Sequence, residues 1–282
     1  MANLKTLLKG SVISASIFCV AMASAHDTHS HAAKHVSALD KAIAGEYRSD
    51  KNKSRDMYRN PKETLEFFGF KPTMTVVEVA PGGAWYSEIL APALKDKGTF
   101  YGAQYPDTGE DNYYSKSRKR LEQKLTSNEI FSKMKLTDFT PKKPSALAPK
   151  GSADLVLTFR NLHNWKEEGV KQLFKDAYVA LKPDGALGVV EHRMPESQDW
   201  ASNQKSGYFP ISLTIQLAKE AGFKLAASSE INANKKDTAN HPNGVWTLPP
   251  VLALKDKDRA KYMAIGESDR MTLKFVKAGA KL

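Results

Sequence analysis

VVEVAPGGAWYSEIL, residues 76–90, is a β-branched apolar run holding one acid, then a turn of small residues, then a stretch of helical length. The run from Met74 to Ala80 is continuous rather than alternating, so it reads as a strand buried on both faces. Its acid is Glu78. In the turn, Ala80, Gly82, Gly83 and Ala84 are small and Pro81 is stiff, so a ligand can come close to the backbone. The helix that follows leaves its first N–H groups unpaired and points its positive dipole end at the same place.

Outward from this stretch, strands and helices alternate. GTFYGAQY (98–105) reads as a second strand, Asn112–Leu125 as a polar helix and Lys133–Phe139 as a third strand. A Pro- and Lys-rich loop leads to ADLVLTF (153–159), an amphipathic helix over 166–181, a turn at Pro183-Asp184-Gly185 and ALGVVEH (186–192). A helix over 211–221 precedes a sixth strand at 223–231, and RMTLKFVK (270–277) alternates as a last strand. Upstream, Ser37–Gly45 reads as a short helix. A second starts with Asn60 as N-cap and Pro61 in its first turn, and ends at Gly69. This order predicts an α/β fold, Rossmann-like, with a mostly parallel seven-stranded sheet, an antiparallel last strand and helices on both faces. Ligands bind such sheets at the carboxyl ends of the strands. The irregular segment 232–266 leaves from that rim and is expected to form a lid inserted in a single domain spanning 37–282.

The same rim collects groups suited to proton transfer and polar binding. His163 follows the fourth strand; Glu191 and His192 end the fifth. A histidine near its working pH is a natural general base. Arg193 is suited to holding an anionic substrate. Asn161, Asn164 and Trp165 share the His163 loop, and Glu230 and Asn232 close the sixth strand. Tyr113, Tyr114 and Trp246 offer aromatic surface to a substrate or to the core. Each histidine has a structural hydrogen-bonding role as its alternative.

At this point the chain resembles the class I S-adenosylmethionine-dependent methyltransferases. Their first strand carries an acid followed by alternating glycines, matched here by Glu78-x-Ala80-x-Gly82-x-Ala84. SADLVLTFRNLHNW (152–165) is similar to the fourth-strand motif, with Asp154 opening the strand, and LKPDGALGVVEH (181–192) to the signature after the following helix. More narrowly, the chain resembles exported bacterial proteins called predicted methyltransferases. They share an RDxYRxP segment, here Arg55–Pro61, and an HPNGVW segment, here 241–246. The resemblance covers roughly residues 60–277. It implies S-adenosyl-L-methionine as cofactor, held by Glu78, Ala80, Pro81, Gly82, Gly83, Ala84, Gln104, Asp138 and Asn161. It also implies methyl transfer to a small-molecule acceptor, with His163, His192 and Glu191 as catalytic candidates and Arg193, Trp165, Glu230 and Asn232 toward the substrate. One departure stands out: Gln104 occupies the place of an acid that binds ribose hydroxyls, and an amide carries no charge. The alternative reading keeps the fold as a non-catalytic ligand-binding protein of the periplasm.

The N-terminus reads as a secretory signal. Lys5 and Lys9 precede the apolar segment SVISASIFCVAMA, and Ala23-Ser24-Ala25 offers a cleavage site after Ala25. The apolar stretch falls short of the roughly 20 residues a membrane span needs. The exported, periplasmic chain then loses Cys19, its one cysteine, which excludes disulfides, thiolate metal ligation and thiol catalysis. Residues 26–36 follow as a flexible His-rich segment with His26, His29, His31 and His35. Such a tract binds metals loosely but supplies no fixed ligand geometry, so no specific metal site is expected. The full chain carries a net charge of +11. Its lysines are scattered, which suits a solvated surface rather than a nucleic-acid footprint.

Overall fold

The structure, a computed structural model, describes residues 36–280. The signal segment, its cleavage site and the four clustered histidines lie outside the described residues.

Among the described residues, eight strands form the sheet: β1 (Thr75–Val79), β2 (Thr99–Gln104), β3 (Met134–Asp138), β4 (Ala153–Phe159), β5 (Leu181–Met194), β6 (Phe209–Pro210), β7 (Phe223–Ser229) and β8 (Arg270–Lys277). Their order is β3-β2-β1-β4-β5-β8-β7, with the two-residue β6 paired to the end of β5. The central pairs are parallel. β8 runs antiparallel to both β5 and β7. The reversal of strand order falls between β1 and β4, where a crevice opens in such sheets.

Among the described residues, ten α-helices accompany the sheet: α1 (Ala38–Ala44), α2 (Asp50–Lys53), α3 (Asp56–Arg59), α4 (Pro61–Phe68), α5 (Ser87–Leu94), α6 (Tyr113–Thr126), α7 (Lys166–Ala180), α8 (Trp200–Asn203), α9 (Ile211–Glu220) and α10 (Arg259–Ile265). Two apolar cores cover the two sheet faces. One joins Val77, Val79 and Val156 to the buried sides of α7 and α9. The other joins Val76, Leu155 and Leu157 to α1, α4 and α5. Adjacent residues of β1 thus point into opposite cores, which is why its sequence is apolar without alternation.

Two local expectations are corrected. Asn60 precedes α4, but its backbone is left-handed and its side chain caps nothing. Its amide donates instead to the Ile231 carbonyl, 2.7 Å away, fastening the start of α4 to the end of the sheet. The turn at Pro183–Gly185 does not precede the fifth strand but lies inside it. Ala153 pairs with Leu181 and Leu155 with Ala186, so residues 182–185 form a bulge in β5. Pro183 has no N–H to give to a ladder, and a bulge is where a strand tolerates it.

Candidate active site

The turn after β1 has left-handed backbone at Ala80 (φ 50°), Gly82 (58°) and Ala84 (60°). These are the three positions at which the motif alternates glycine. Alanine keeps the conformation at a steric cost of roughly 1–2 kcal/mol per residue. A β-carbon on Gly83 would meet nothing within 4 Å, and one on Gly82 only the Ala80 carbonyl at 3.9 Å. Space in front of the turn is therefore open. Asn161, just past β4, braces it from the side, its amide donating to the carbonyls of Val79 and Ala80 at 3.2 and 3.3 Å.

Glu78 is buried and accepts a 2.5 Å hydrogen bond from the Ser87 hydroxyl. Burial pushes its carboxyl up to about 7, against the opposing effects of Ser87, Arg160 and Lys124. Gln104 is fully buried. Its oxygen accepts from the Tyr105 N–H at 3.0 Å and its amide donates to Ser117 at 3.3 Å. Asp138, at the end of β3, is exposed and pairs with Arg118 at 2.8 Å. Trp165 is buried, stacks edge-on with Phe139 and donates to the Tyr105 hydroxyl at 2.8 Å. These contacts make Trp165 part of the wall behind β2 and β3.

The ends of β4 and β5 bring three of the sequence candidates together. Glu191 is wholly buried. One carboxylate oxygen accepts from the Leu162 N–H at 2.5 Å; the other meets His163 Nδ1 at 3.0 Å and the His192 N–H at 2.7 Å. A carboxylate accepts, so the proton on His163 sits at Nδ1 and Nε2 carries the free lone pair. The rings of His163 and His192 are 5.4 Å apart, and His192 Nδ1 lies 2.5 Å from the Ser268 hydroxyl. Burial, followed by His163, Arg270, Arg160 and Arg59, drives the His192 imidazole well below its ordinary range. Metal-ligating atoms of His163, Glu191 and His192 lie within 4.8 Å of one another. Three donors already occupy Glu191 and guanidinium groups surround His192, which suits proton handling and opposes a cation.

Other candidates are not brought into this group. Arg193 is engaged by Asp269, at 2.7 and 2.8 Å, and by Glu230, at 2.8 and 2.9 Å. Its fork is spent on a surface ion-pair network, with Glu230 as the exposed partner. Asn232 is buried between Thr64 and Thr272, to which its amide donates at 2.9 and 3.0 Å. Both ties join the sheet to α4.

Sequence reasoning passed over Arg160 and Arg270. With Arg55, Arg59, His192, Trp246 and Glu267 they line a cavity of about 110 Å³. Glu267 bonds Arg55 at 2.5 Å and Arg59 at 3.3 Å, and also pairs with Arg270. Burial raises the Glu267 carboxyl, but Arg270, Arg59 and Arg55 outweigh it and hold it down at about 2. The chain has nine arginines among its many lysines, and four of them meet here. That choice of residue was the available signal.

No family model matches the chain, and no curated protein matches it. Solved structures do. A putative sarcosine dimethylglycine methyltransferase from Galdieria sulphuraria is 14% identical, with 82% of this chain and 89% of that chain covered at a TM-score of 0.54. A SAM-dependent methyltransferase from Aquifex aeolicus is 16% identical over 64% and 87% of the two chains, with a TM-score of 0.51. The [4+2]-cyclase SpnF is 13% identical over 85% and 92%, at 0.53. At such identities the likeness is one of fold, and the cyclase illustrates that one fold hosts different reactions. The chain therefore has the Rossmann-like fold of the class I methyltransferases, a mostly parallel sheet closed by an antiparallel last strand.

Proposed function

We propose that this protein is an S-adenosylmethionine-dependent methyltransferase acting on a small-molecule acceptor, in the periplasm after export. The observation that carries the reading is the turn after β1. Three left-handed small residues and open space before Gly82 and Gly83 make a cradle for the methionine end of the cofactor. The residues fit that end of the group. At the ribose position Gln104 offers an amide already bonded to Tyr105 and Ser117 instead of a carboxylate, so the cofactor is held mainly from the β1 side.

When bound, S-adenosylmethionine supplies a methyl group already activated on a sulfonium. What remains for the protein is alignment and proton removal. Asn161 fixes the end of β1 against the end of β4, and so fixes the cradle against the acceptor side. Glu191 holds the His163 ring with Nε2 free, in the arrangement a general base needs to take a proton from a hydroxyl or amine. Next to His163 lies an open groove of about 450 Å³, bordered by Asn164, Lys166, Trp200 and Lys205, which offers room for the body of an acceptor. His192 stays neutral beside it and hydrogen-bonds Ser268.

The test is calorimetric titration with S-adenosylmethionine and S-adenosylhomocysteine, with Gly82→Asp as control. Saturable binding that the variant loses supports the reading. If neither compound binds the wild type, the reading fails and the fold serves another ligand.

A further inference from the structure

We propose that the arginine-lined cavity beside His192 binds a small oxyanion, the carboxylate or phosphate group of the methyl acceptor. The word acceptor rests on the methyl-transfer reading; oxyanion binding in this cavity stands without it.

Four guanidinium groups, from Arg55, Arg59, Arg160 and Arg270, face one carboxylate, Glu267. Two arginines elsewhere are matched by acids: Arg48 has Asp56 in a bidentate pair, and Arg193 has two carboxylates. A purely structural arginine cluster would be balanced the same way, because an unpaired buried charge is expensive.

Arg270 Nε is buried without a hydrogen-bond partner, as is Arg48 Nε, and among the described residues the half-buried Arg160 is the one of the four arginines with no ion pair. Burial, then its neighbour Arg270, brings the Arg160 guanidinium down to about 10, and burial and Arg160 likewise lower Arg59. These positive charges repel one another and share a single carboxylate, Glu267. Arg160 is also held in left-handed backbone, φ 61°, which is uncommon for a long side chain and occurs where the surroundings over-determine a position.

At about 110 Å³ the cavity is small beside the groove of about 450 Å³ next to His163, which suits a compact anion. Trp246 and Pro249 wall it, so charges inside interact in low dielectric. Planar guanidinium forks match the paired oxygens of carboxylate and phosphate. Arg160 directly follows β4, and Trp246 also lies edge-on to His163, 6.0 Å between rings. An anion seated here would bring the rest of its molecule beside the candidate base.

The test is thermal unfolding and calorimetry with acetate, inorganic phosphate and the neutral acetamide, at low ionic strength. Acetate or phosphate is expected to raise Tm saturably and acetamide to leave it unchanged; which anion works identifies the group. Arg160→Met is expected to unfold at a higher temperature than wild type without anion, because it removes a repelled charge, and to lose the response to anion. A merely structural Arg160 would instead lower Tm when replaced. No response in wild type, or an undiminished response in Arg160→Met, overturns the proposal. Should Arg160→Met fail to fold, Arg55→Gln at the cavity mouth decides the matter. Its anion affinity should fall about tenfold or more, and unchanged affinity overturns the proposal. Titration with S-adenosylmethionine is run alongside, so anion binding without cofactor binding separates this inference from the methyl-transfer reading.

Discussion

His163 and Glu191 show how a single side chain takes its role from its partner. The carboxylate is shut away from water and bonded on both oxygens, so it cannot wander, and it fixes which face of the imidazole is left basic. Once an acceptor is in hand, His163→Ala should lower kcat by about 10²-fold or more. Glu191→Gln should do the same while shifting the pH–rate profile; steady-state kinetics across pH will show either. A different residue-scale expectation belongs to Ala80. Valine is β-branched and tolerates left-handed backbone poorly, so Ala80→Val should lose about 2 kcal/mol in denaturant unfolding. Ala80→Gly should lose none, and equal losses would refute the account of strain.

Among the elements, the segment between β7 and β8 is tied down by polar contacts more than by a core of its own. Asp269 bonds Arg193 through its side chain, accepts from the Asn234 N–H at 2.8 Å, and donates its own N–H to Asp237 at 2.8 Å. Asp237 in turn meets His241 at 2.8 Å and the Tyr208 hydroxyl at 3.0 Å. Arg193→Ala leaves Asp269 half-served, so this segment should open first. Faster amide exchange over 232–266, with β1 and β4 unchanged, is the expected signature. Sequence reading located this segment and the sheet beneath it, because strand periodicity and turn residues are local signals. The bulge in β5 and the placing of Asn60 were not legible, since each depends on a partner far along the chain.

For the whole molecule, two buried carboxyls pull stability in opposite directions with pH. Glu78 is raised from 4.5 to about 7 in the folded chain. It is therefore neutral at no cost below pH 4.5, and costs the fold progressively more between 4.5 and 7, reaching about 3 kcal/mol above that. Glu78→Gln should raise Tm at pH 8 and leave it unchanged at pH 4.5. Glu267 is lowered from 4.5 to about 2. Its stabilisation is complete above pH 4.5 and is lost as pH falls toward 2. Glu267→Gln should destabilise at neutral pH and flatten the acid limb of the unfolding curve. That His163 and Glu191 lie at adjacent strand ends could be read from the strand pattern alone. The arginine cavity could not, because Arg55 and Arg59 lie about two hundred positions from Glu267 and meet it only once the chain has closed.

The strand that closes it, β8, sits inside the sheet between β5 and β7. It is also made after every other strand. Until the ribosome has released those residues, β5 and β7 have no neighbour to join them, and Arg270 and Glu267 are missing from the cavity. Joining β5 to β7 through β8 pairs strands far apart in the chain, a kind of contact that forms slowly. A growing chain thus carries the residues of the cradle after β1 well before Glu267 and Arg270, which complete the lining of the arginine cavity.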